Sequence, residues 1–391
     1  MLYMNLLGKL NFGYFKFHII LSSIILFFLG VGQVYLISAW FDNDVVAEFF
    51  LIQAFTVFAI ALGGSSITIK TLVQLDADRP IFNVYPLLHQ FIFTLGTFTL
   101  ISLSPIASLE LNIWILAMLL CAVNCNSSIV AFLRSDEKTF VSAQYCRVGI
   151  TSIRLALIVS LASEVTVSDL LYIFLYTDFL YTVFLLIYMF RRKHLFELEL
   201  NSYANKIALV WGSINASLRN IPRLLVFTIV SEVYPSSAIV ALRLYLVPRE
   251  HLVSLMGIIN TAFFKEIFKG NVLVLAVALF GIAFVFQVIV FSFLLMSGTE
   301  LEFSFQVILF YISAASMYAI SQYHWRLIEK NKESIQVAIH LISICVMALF
   351  FWVSSIYSFY AVSVSYLSVF YFTWTGLVLF FYLRKERGLV L

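Results

Sequence analysis

The sequence predicts an all-α polytopic membrane protein with about twelve transmembrane helices and both termini in the cytoplasm. Hydrophobic residues make up 62% of its 391 residues and charged residues only 12%, whereas an average soluble domain has about 25% charged residues. Apolar windows of about 20 residues, which is the length of a membrane-spanning helix, recur along the chain. Lys and Arg collect in every second connection between these windows, as cytoplasmic loops do.

Twelve apolar windows have the length of a transmembrane span. They cover residues 17–40, 49–69, 84–107, 111–133, 139–162, 167–190, 207–230, 236–260, 271–296, 303–325, 335–353 and 358–383. The first window is longer than the core of a signal peptide, which has about 7 to 15 residues. We therefore count it as span one.

The connections between the windows support this count. Of the 24 Lys and Arg residues, 18 lie before span one or after an even-numbered span, and the other six lie inside spans. The alternate connections carry acidic residues and neither Lys nor Arg. An odd number of spans would break the alternation, so the positive-inside rule predicts an even number and two cytoplasmic termini.

The longest polar connector, from Arg191 to Lys206, follows span six and divides the chain into two sets of six helices. We expect a bundle at 1–195, a cytoplasmic linker at 196–206 and a second bundle at 207–391. Many transporters are built from two such halves, with the substrate path between them. The other connections are no longer than this one, which leaves no room for a soluble catalytic domain.

Recognisable catalytic chemistry is missing from the sequence. It contains no nucleotide-binding loop, metal-binding histidine pair or nucleophile elbow. We therefore expect a transporter rather than an enzyme, with no cofactor, no metal and no nucleic-acid partner.

Six arginines lie inside predicted spans: Arg147 and Arg154 in span five, Arg219 and Arg223 in span seven, and Arg243 and Arg249 in span eight. Each would cost about 2.5 to 3.5 kcal/mol at a helix centre, so six in lipid would cost on the order of 15 to 20 kcal/mol. The six therefore predict a central cationic cavity between the halves. The alternative is snorkelling to an interface, above all for Arg147 and Arg243, which lie near span ends.

Spacing indicates which arginines share a helix face. Arg147 and Arg154 are seven residues apart, and Arg219 and Arg223 are four apart, so each pair lies on one face of its helix. Pro248 should kink span eight just before Arg249. We expect a cavity lined by Arg154, Arg219, Arg223 and Arg249, with Arg147 and Arg243 as further candidates.

Away from the span ends, only two acids accompany the six arginines, Asp178 and Glu250, and Glu250 lies seven residues after Arg243, a spacing that suggests an ion pair. Either could be the partner of an arginine, or a carboxylate that couples transport to H⁺ or Na⁺. The excess of cations favours an anionic cargo. Gln33, Gln53 and Asn215 could hydrogen-bond sugar hydroxyls of that cargo, or join neighbouring helices.

Local motifs add a family resemblance. Ala47-Glu48-Phe49-Phe50 leads into Leu62-Gly63-Gly64 and Lys70, and looser similarity covers Arg134 to Arg147 and Tyr234 to Ala262. With the layout of six plus six spans, these motifs resemble the multidrug/oligosaccharidyl-lipid/polysaccharide exporter superfamily, and within it the Wzx-type O-antigen flippases.

The resemblance implies that the chain moves an undecaprenyl-pyrophosphate-linked oligosaccharide across the bacterial inner membrane. The expected mechanism is alternating access driven by an H⁺ or Na⁺ gradient, with proteins of polysaccharide assembly as partners. The residues fit this independently, because the planar fork of arginine suits phosphate oxygens. Two alternatives stay open: a polysaccharide polymerase or ligase, and a drug or small-solute antiporter of the same superfamily.

Overall fold

The fold is taken from a computed structural model of the chain. It describes residues 14–74, 81–83, 137–161, 165–191, 197–199, 206–262, 272–297, 301, 304–329, 333–356 and 364–386, together with short stretches between 92 and 133. Within this part of the chain the architecture is almost entirely helical.

Ten helices have defined bounds in the described residues. They are α1 Tyr14–Trp40, α2 Asn43–Gln74, α3 Glu137–Ser160, α4 Val167–Arg191, α5 Lys206–Val233, α6 Ser236–Ala262, α7 Val272–Met296, α8 Phe305–Glu329, α9 Glu333–Ile356 and α10 Val364–Glu386. Each begins and ends within six residues of a predicted window. Predicted spans three and four lie mostly outside the described residues, although those described between 92 and 133 are helical.

Long apolar helices are what a bilayer demands, because lipid offers no hydrogen bonds to an open backbone. By length and composition, five described segments can cross a membrane: Tyr14–Trp40, Val167–Met189, Ala276–Met296, Ser334–Ser354 and Val364–Phe381. Helices α5 and α6 contain Pro222 and Pro248 and continue through both. The proline expected to kink span eight thus leaves α6 a single uninterrupted helix.

Within the described residues, a two-stranded ribbon is a feature that the pattern of apolar windows did not predict. Strand β1, Ile81–Asn83, pairs in parallel with β2, Glu197–Glu199. The first follows α2 and the second follows α4. The pairing therefore brings two connections to the same side of the bundle, and both are connections that Lys and Arg mark as cytoplasmic.

The main hydrophobic core joins helices of both predicted halves. Helix α2 packs along α5 and α6, and α1 packs against α6. Phe49 and Phe50 of α2 are fully buried in the same cluster as Phe227 of α5 and Val247 of α6. Part of this core, including Ile37, Val46 and Val230, lies beside the short α1–α2 and α5–α6 connections, and the rest extends along α7 to α10.

Candidate substrate cavity

A cavity of about 400 Å³ borders this core, lined by α1 to α6 and by residues of predicted span four. Its charged lining residues are Arg147, Arg154, Asp178, Arg223, Arg243 and Glu250. Four arginines therefore face two carboxylates, which leaves a formal charge of +2. The central cationic cavity expected from the sequence is present, with a smaller excess of charge than six arginines would supply.

On the side of the first half, Arg154 and Asp178 form an ion pair. Arg154 Nη2 of α3 lies 2.8 Å from Asp178 Oδ1 of α4, and Arg154 Nε donates to Thr177 Oγ1 at 2.8 Å. The guanidinium also lies over the Phe174 ring, 4.4 Å from its centroid. Three contacts from one helix fix the orientation of Arg154. The pair gives Asp178 an arginine partner, which is one of the two roles considered for it, and its role in ion coupling stays a prediction.

Asn126, in predicted span four, ties that span to α4 behind the ion pair. Its Nδ2 donates to the Asp178 carbonyl oxygen at 3.1 Å, and its Oδ1 accepts from Thr182 Oγ1 at 2.8 Å. These bonds brace the backbone that carries the Asp178 carboxylate.

On the side of the second half, Glu250 is shared by two arginines. Its Oε1 lies 2.8 Å from Arg223 Nη1 of α5, and its Oε2 accepts from Arg243, which precedes it by seven residues on α6. The seven-residue spacing that suggested an ion pair between Arg243 and Glu250 is confirmed by this contact. The contact with Arg223 was not predicted, since it requires knowing how α5 lies against α6.

Both of these arginines keep unused hydrogen-bond donors. Arg223 Nε and Nη2 and Arg243 Nε are buried and have no acceptor among the described residues. Buried donors of a native protein are nearly always paired, and each one left unpaired costs free energy. An anion or ordered water in the cavity would satisfy them.

The predicted polar residues divide between the cavity and the helix contacts. Gln33 of α1 and Gln53 of α2 line the cavity, as does Thr56. Asn215 does not: its side chain is buried and donates to Gln336 Oε1 of α9. The prediction that Asn215 lines the cavity is therefore wrong. Asn215 instead joins two helices, which was the alternative, because α9 packs against α5 at this position.

The four arginines that line this cavity are not the four that the sequence predicted. Arg154 and Arg223 line it as predicted, while Arg147 and Arg243 occupy the places expected for Arg219 and Arg249. Arg243 is buried, with only 6% of its surface exposed, so it does not snorkel. Arg147 lies near the middle of α3 and lines the cavity, but its side chain is exposed, so both interpretations of Arg147 stay open.

Arg219 and Arg249 do not line the cavity, but they lie near the ion pairs of Glu250. Both are within electrostatic range of Tyr371 on α10, and the Arg249 guanidinium lies 4.3 Å from the centre of that ring. Solvent reaches Arg219. Among the described residues, no carboxylate lies within ion-pair distance of either side chain.

His251 is a cavity residue that the sequence did not single out. It lies on α6 next to Glu250 and contacts α1, where a Cβ atom added to Gly30 would overlap its ring. Phe27 meets the same imidazole edge to face, with ring centroids 6.1 Å apart. The absence of a side chain at Gly30 allows this close approach of α1 to α6.

The charged and amide side chains of the cavity are suited to reversible binding of a ligand. Within the described ranges, no cluster of three His, Cys, Asp or Glu side chains could hold a metal ion. The charged side chains of the cavity other than Arg147 are held in ion pairs, and its amide side chains can donate and accept hydrogen bonds. This arrangement can hold a polar anion and let it go.

Comparison with known proteins identifies the fold. No protein-family model and no curated protein matches the chain. Among solved structures, the outward-facing conformation of a multidrug resistance MATE family transporter of the MOP superfamily aligns with 96% of this chain and 94% of its own, with a TM-score of 0.54 and 14% identity. A MATE protein in complex with MaL6 aligns over the same shares, with a TM-score of 0.51 and 14% identity. The chain has the fold of a MATE transporter.

This MATE-like fold confirms the all-α polytopic class and the layout of a transporter. The first of these neighbours is described as a member of the MOP superfamily. The resemblance of the sequence motifs to Wzx-type flippases stays a prediction. The count of twelve helices, the division at 196–206 and the cytoplasmic termini stay predictions.

Proposed function

We propose that the chain is a flippase that moves an undecaprenyl-pyrophosphate-linked oligosaccharide across the bacterial inner membrane. The observation that carries the proposal is the intramembrane cavity in which four arginines face two carboxylates. Buried N–H donors of Arg223 and Arg243 have no acceptor there among the described residues. Such a site favours a multiply charged anion.

A lipid pyrophosphate has the chemistry that this cavity recognises. Arginine presents N–H donors in a planar fork that matches phosphate oxygens, and Arg147 brings a charge that no described carboxylate within ion-pair distance neutralises. Gln33, Gln53 and Thr56 can hydrogen-bond sugar hydroxyls. The prenyl chain can remain in the bilayer, since its transfer into a polar cavity would lose the hydrophobic effect.

Alternating access would move the cargo between the two leaflets. The acidic α1–α2 and α5–α6 connections face the periplasm if the positive-inside rule holds. The core residues beside these connections would then lie on the periplasmic side of the cavity, as expected for a conformation that accepts cargo from the cytoplasmic leaflet. Rocking of 1–195 against 207–391 would transfer the opening to the other side.

Ion coupling would act through the two cavity carboxylates. Protonation of Asp178 would break its ion pair with Arg154, and protonation of Glu250 would release Arg223 and Arg243. Na⁺ binding at either carboxylate would compete with the same arginines. Each event would free arginine side chains to bind the anionic cargo. Binding of H⁺ or Na⁺ would thereby strengthen binding of the cargo, which couples the two. Proteins of polysaccharide assembly are the expected partners.

A drug or small-solute antiporter is the second candidate, and the fold favours it equally because the neighbour described above is a multidrug resistance transporter. The cavity volume lies in the range of roughly 300 to 1,000 Å³ typical of small-molecule sites. The charge of +2 weighs against a cationic drug. A polymerase or ligase gains no support from a transporter fold.

Reversing one charge distinguishes the two candidates. Arg147→Glu lowers the formal cavity charge from +2 to 0 and breaks no ion pair of the described residues. A flippase for pyrophosphate lipids should lose transport, whereas an exporter of cationic dyes should keep it or gain. The matched control is Arg191→Glu, at the exposed end of α4. Unchanged transport of a pyrophosphate lipid by Arg147→Glu would contradict the proposal.

A further inference from the structure

His251 is a titratable residue of the cavity that takes no part in the ion pairs of the described residues. It follows Glu250 on α6 and lines the cavity. Its Nε2 atom is buried and has no hydrogen-bond partner among the described residues, although the residue as a whole is partly exposed. Histidine is the side chain whose charge ordinarily changes near neutral pH. A free imidazole nitrogen at this position can accept a proton.

The imidazole lies in the contact between α1 and α6. A Cβ atom added to Gly30 would overlap the His251 ring, so the ring rests directly on the backbone of α1. Phe27, three residues earlier on α1, meets the ring edge to face. Helix α1 belongs to the first predicted half and α6 to the second. The position of His251 therefore depends on how closely the two halves pack.

The charges around His251 are mostly positive. Arg243 and Glu250 of α6, Arg223 of α5 and Arg147 of α3 line the same cavity and lie within electrostatic range of the imidazole. The one carboxylate is already shared between Arg223 and Arg243. Protonation of His251 would place a fourth positive charge beside that carboxylate, and like charges repel strongly where water is scarce.

The other helices packed against α6 supply no carboxylate that could offset this charge. The residues of α1 and α2 that line the cavity are uncharged, and α7 contains no titratable side chain. Helix α8 contributes Tyr311, whose hydroxyl donates to a carbonyl of α6, and Tyr318, which packs in a cluster with Leu252. Phenols are neutral at physiological pH. Arg249 of α6 itself lies over the Tyr371 ring.

We infer that His251 is a proton-binding residue whose protonation opens the contact between α1 and α6. The neutral ring fits against Gly30 in the conformation described above. The charged ring is repelled there by the arginines, and it is better accommodated where α1 has moved away and water reaches it. A ligand shifts an equilibrium toward the state that binds it more tightly. Acidification therefore favours the conformation in which the two helices have separated.

This proton site differs in its action from the two cavity carboxylates. Protonation of Asp178 or Glu250 would break ion pairs that each lie within one predicted half. Protonation of His251 acts on a contact between the halves, so it changes their relative position directly. That this movement drives translocation of a lipid rests on the proposed function; the proton site itself does not.

Distance measurements on the full chain in nanodiscs test the site. Trp40 ends α1 and Val233 lies three residues before α6, and both are exposed. Spin labels on cysteines at these positions, with the four native cysteines replaced, report the separation of the two helices. Between about pH 8 and about pH 5, the ratio of the two wild-type populations should shift by up to about tenfold per pH unit, the limit for uptake of one proton. The ratio should not shift in His251→Gln.

Matched variants make the result specific. His18→Gln is the control, because it removes another histidine, one that hydrogen-bonds the Tyr145 hydroxyl and not α6; it should behave as the wild type does. Gly30→Ala should show the acid population already at about pH 8, whereas Gly32→Ala should not, since only the first methyl group meets the imidazole. Size-exclusion profiles establish folding, and His251→Asn serves if His251→Gln does not fold.

Two outcomes would overturn the proton site. One is a wild-type distance distribution that does not change with pH. The other is a change in a folded His251 variant that equals the change in the wild type.

Failure of the proton site and failure of the proposed function can be separated, because the distance measurement needs no cargo. If the wild type translocates a pyrophosphate lipid in proteoliposomes but its label distances do not depend on pH, the flippase stands and the proton site is refuted. If the distances shift with pH through His251 but no such lipid is translocated, the proton site stands and the flippase is refuted.

Discussion

The imidazole of His251 on α6 lies against the backbone of Gly30 on α1, so close that a Cβ atom on Gly30 would overlap it. The contact joins the two predicted halves beside the cavity, one residue from Glu250. Gly30→Ala should therefore separate α1 from α6 at this point, at a cost of about 1 to 3 kcal/mol for overpacking. A lower unfolding temperature of the purified protein and reduced transport would show this.

Gly32 provides the control for that substitution. A Cβ added there meets nothing within 4 Å, so Gly32→Ala should be neutral or stabilising, as alanine favours a helix. His251→Ala should rescue Gly30→Ala by making room for the methyl group. If Gly30→Ala and Gly32→Ala behave alike, the contact does not hold the halves together.

The pair of Arg154 and Asp178 permits a test that separates structure from ion coupling. Asp178→Asn should destabilise the protein by about 1 to 3 kcal/mol, less than the 3 to 5 kcal/mol of a fully buried pair, because cavity water reaches both side chains. Arg154→Met with Asp178→Leu should restore the unfolding temperature. Transport in the double variant should stay uncoupled from the H⁺ or Na⁺ gradient. If the double variant regained gradient-driven transport, Asp178 would not be a coupling residue.

Glu250 should be the more sensitive of the two cavity carboxylates, since it compensates two arginines. Glu250→Gln raises the formal cavity charge from +2 to +3 and leaves Arg223 and Arg243 without a carboxylate. We expect a loss of about 3 to 5 kcal/mol, measured by thermal unfolding in detergent. Glu232→Gln, at the exposed end of α5, should change little. Equal unfolding temperatures for the two variants would refute the shared ion pair.

The parallel ribbon offers a test of sidedness. Asn83 and Glu199 are register partners, so cysteines at both positions, with the four native cysteines replaced, should cross-link on oxidation. A membrane-impermeant reagent should reach them only from the cytoplasmic side. Asp44→Cys, at the other end of α2, should be labelled only from the opposite side. Labelling of all three from one side would refute the topology.

Much of the fold could be predicted from the sequence because the bilayer imposes one dominant rule. Helices α4 and α7 match their apolar windows to within one residue at each end, since span length and hydropathy are local properties. The ribbon could not be predicted. Ile81–Asn83 and Glu197–Glu199 are too short to show a pattern, and their pairing joins segments more than a hundred residues apart.

The existence of a cationic cavity could be predicted from the sequence, but only some of the residues that line it could. An excess of arginines in spans requires an interior cavity, and spacing along one helix predicted the contact of Arg243 with Glu250. Which arginines line the cavity depends on how α3, α5 and α6 rotate and cross. For the same reason Asn215 faces Gln336 rather than the cavity, and the partner of Gly30 is His251.

The most direct test of the flippase is translocation by the purified chain in sealed liposomes. A fluorescent undecaprenyl-pyrophosphate oligosaccharide is placed in both leaflets, and an impermeant quencher reports what remains inside. Wild-type protein and Arg191→Gln should render nearly all of the lipid accessible, whereas Arg147→Gln with Arg223→Gln should leave the inner leaflet protected. The account would be contradicted if wild-type protein left as much lipid protected from the quencher as empty liposomes do. It would also be contradicted if the cavity substitutions did not affect transport.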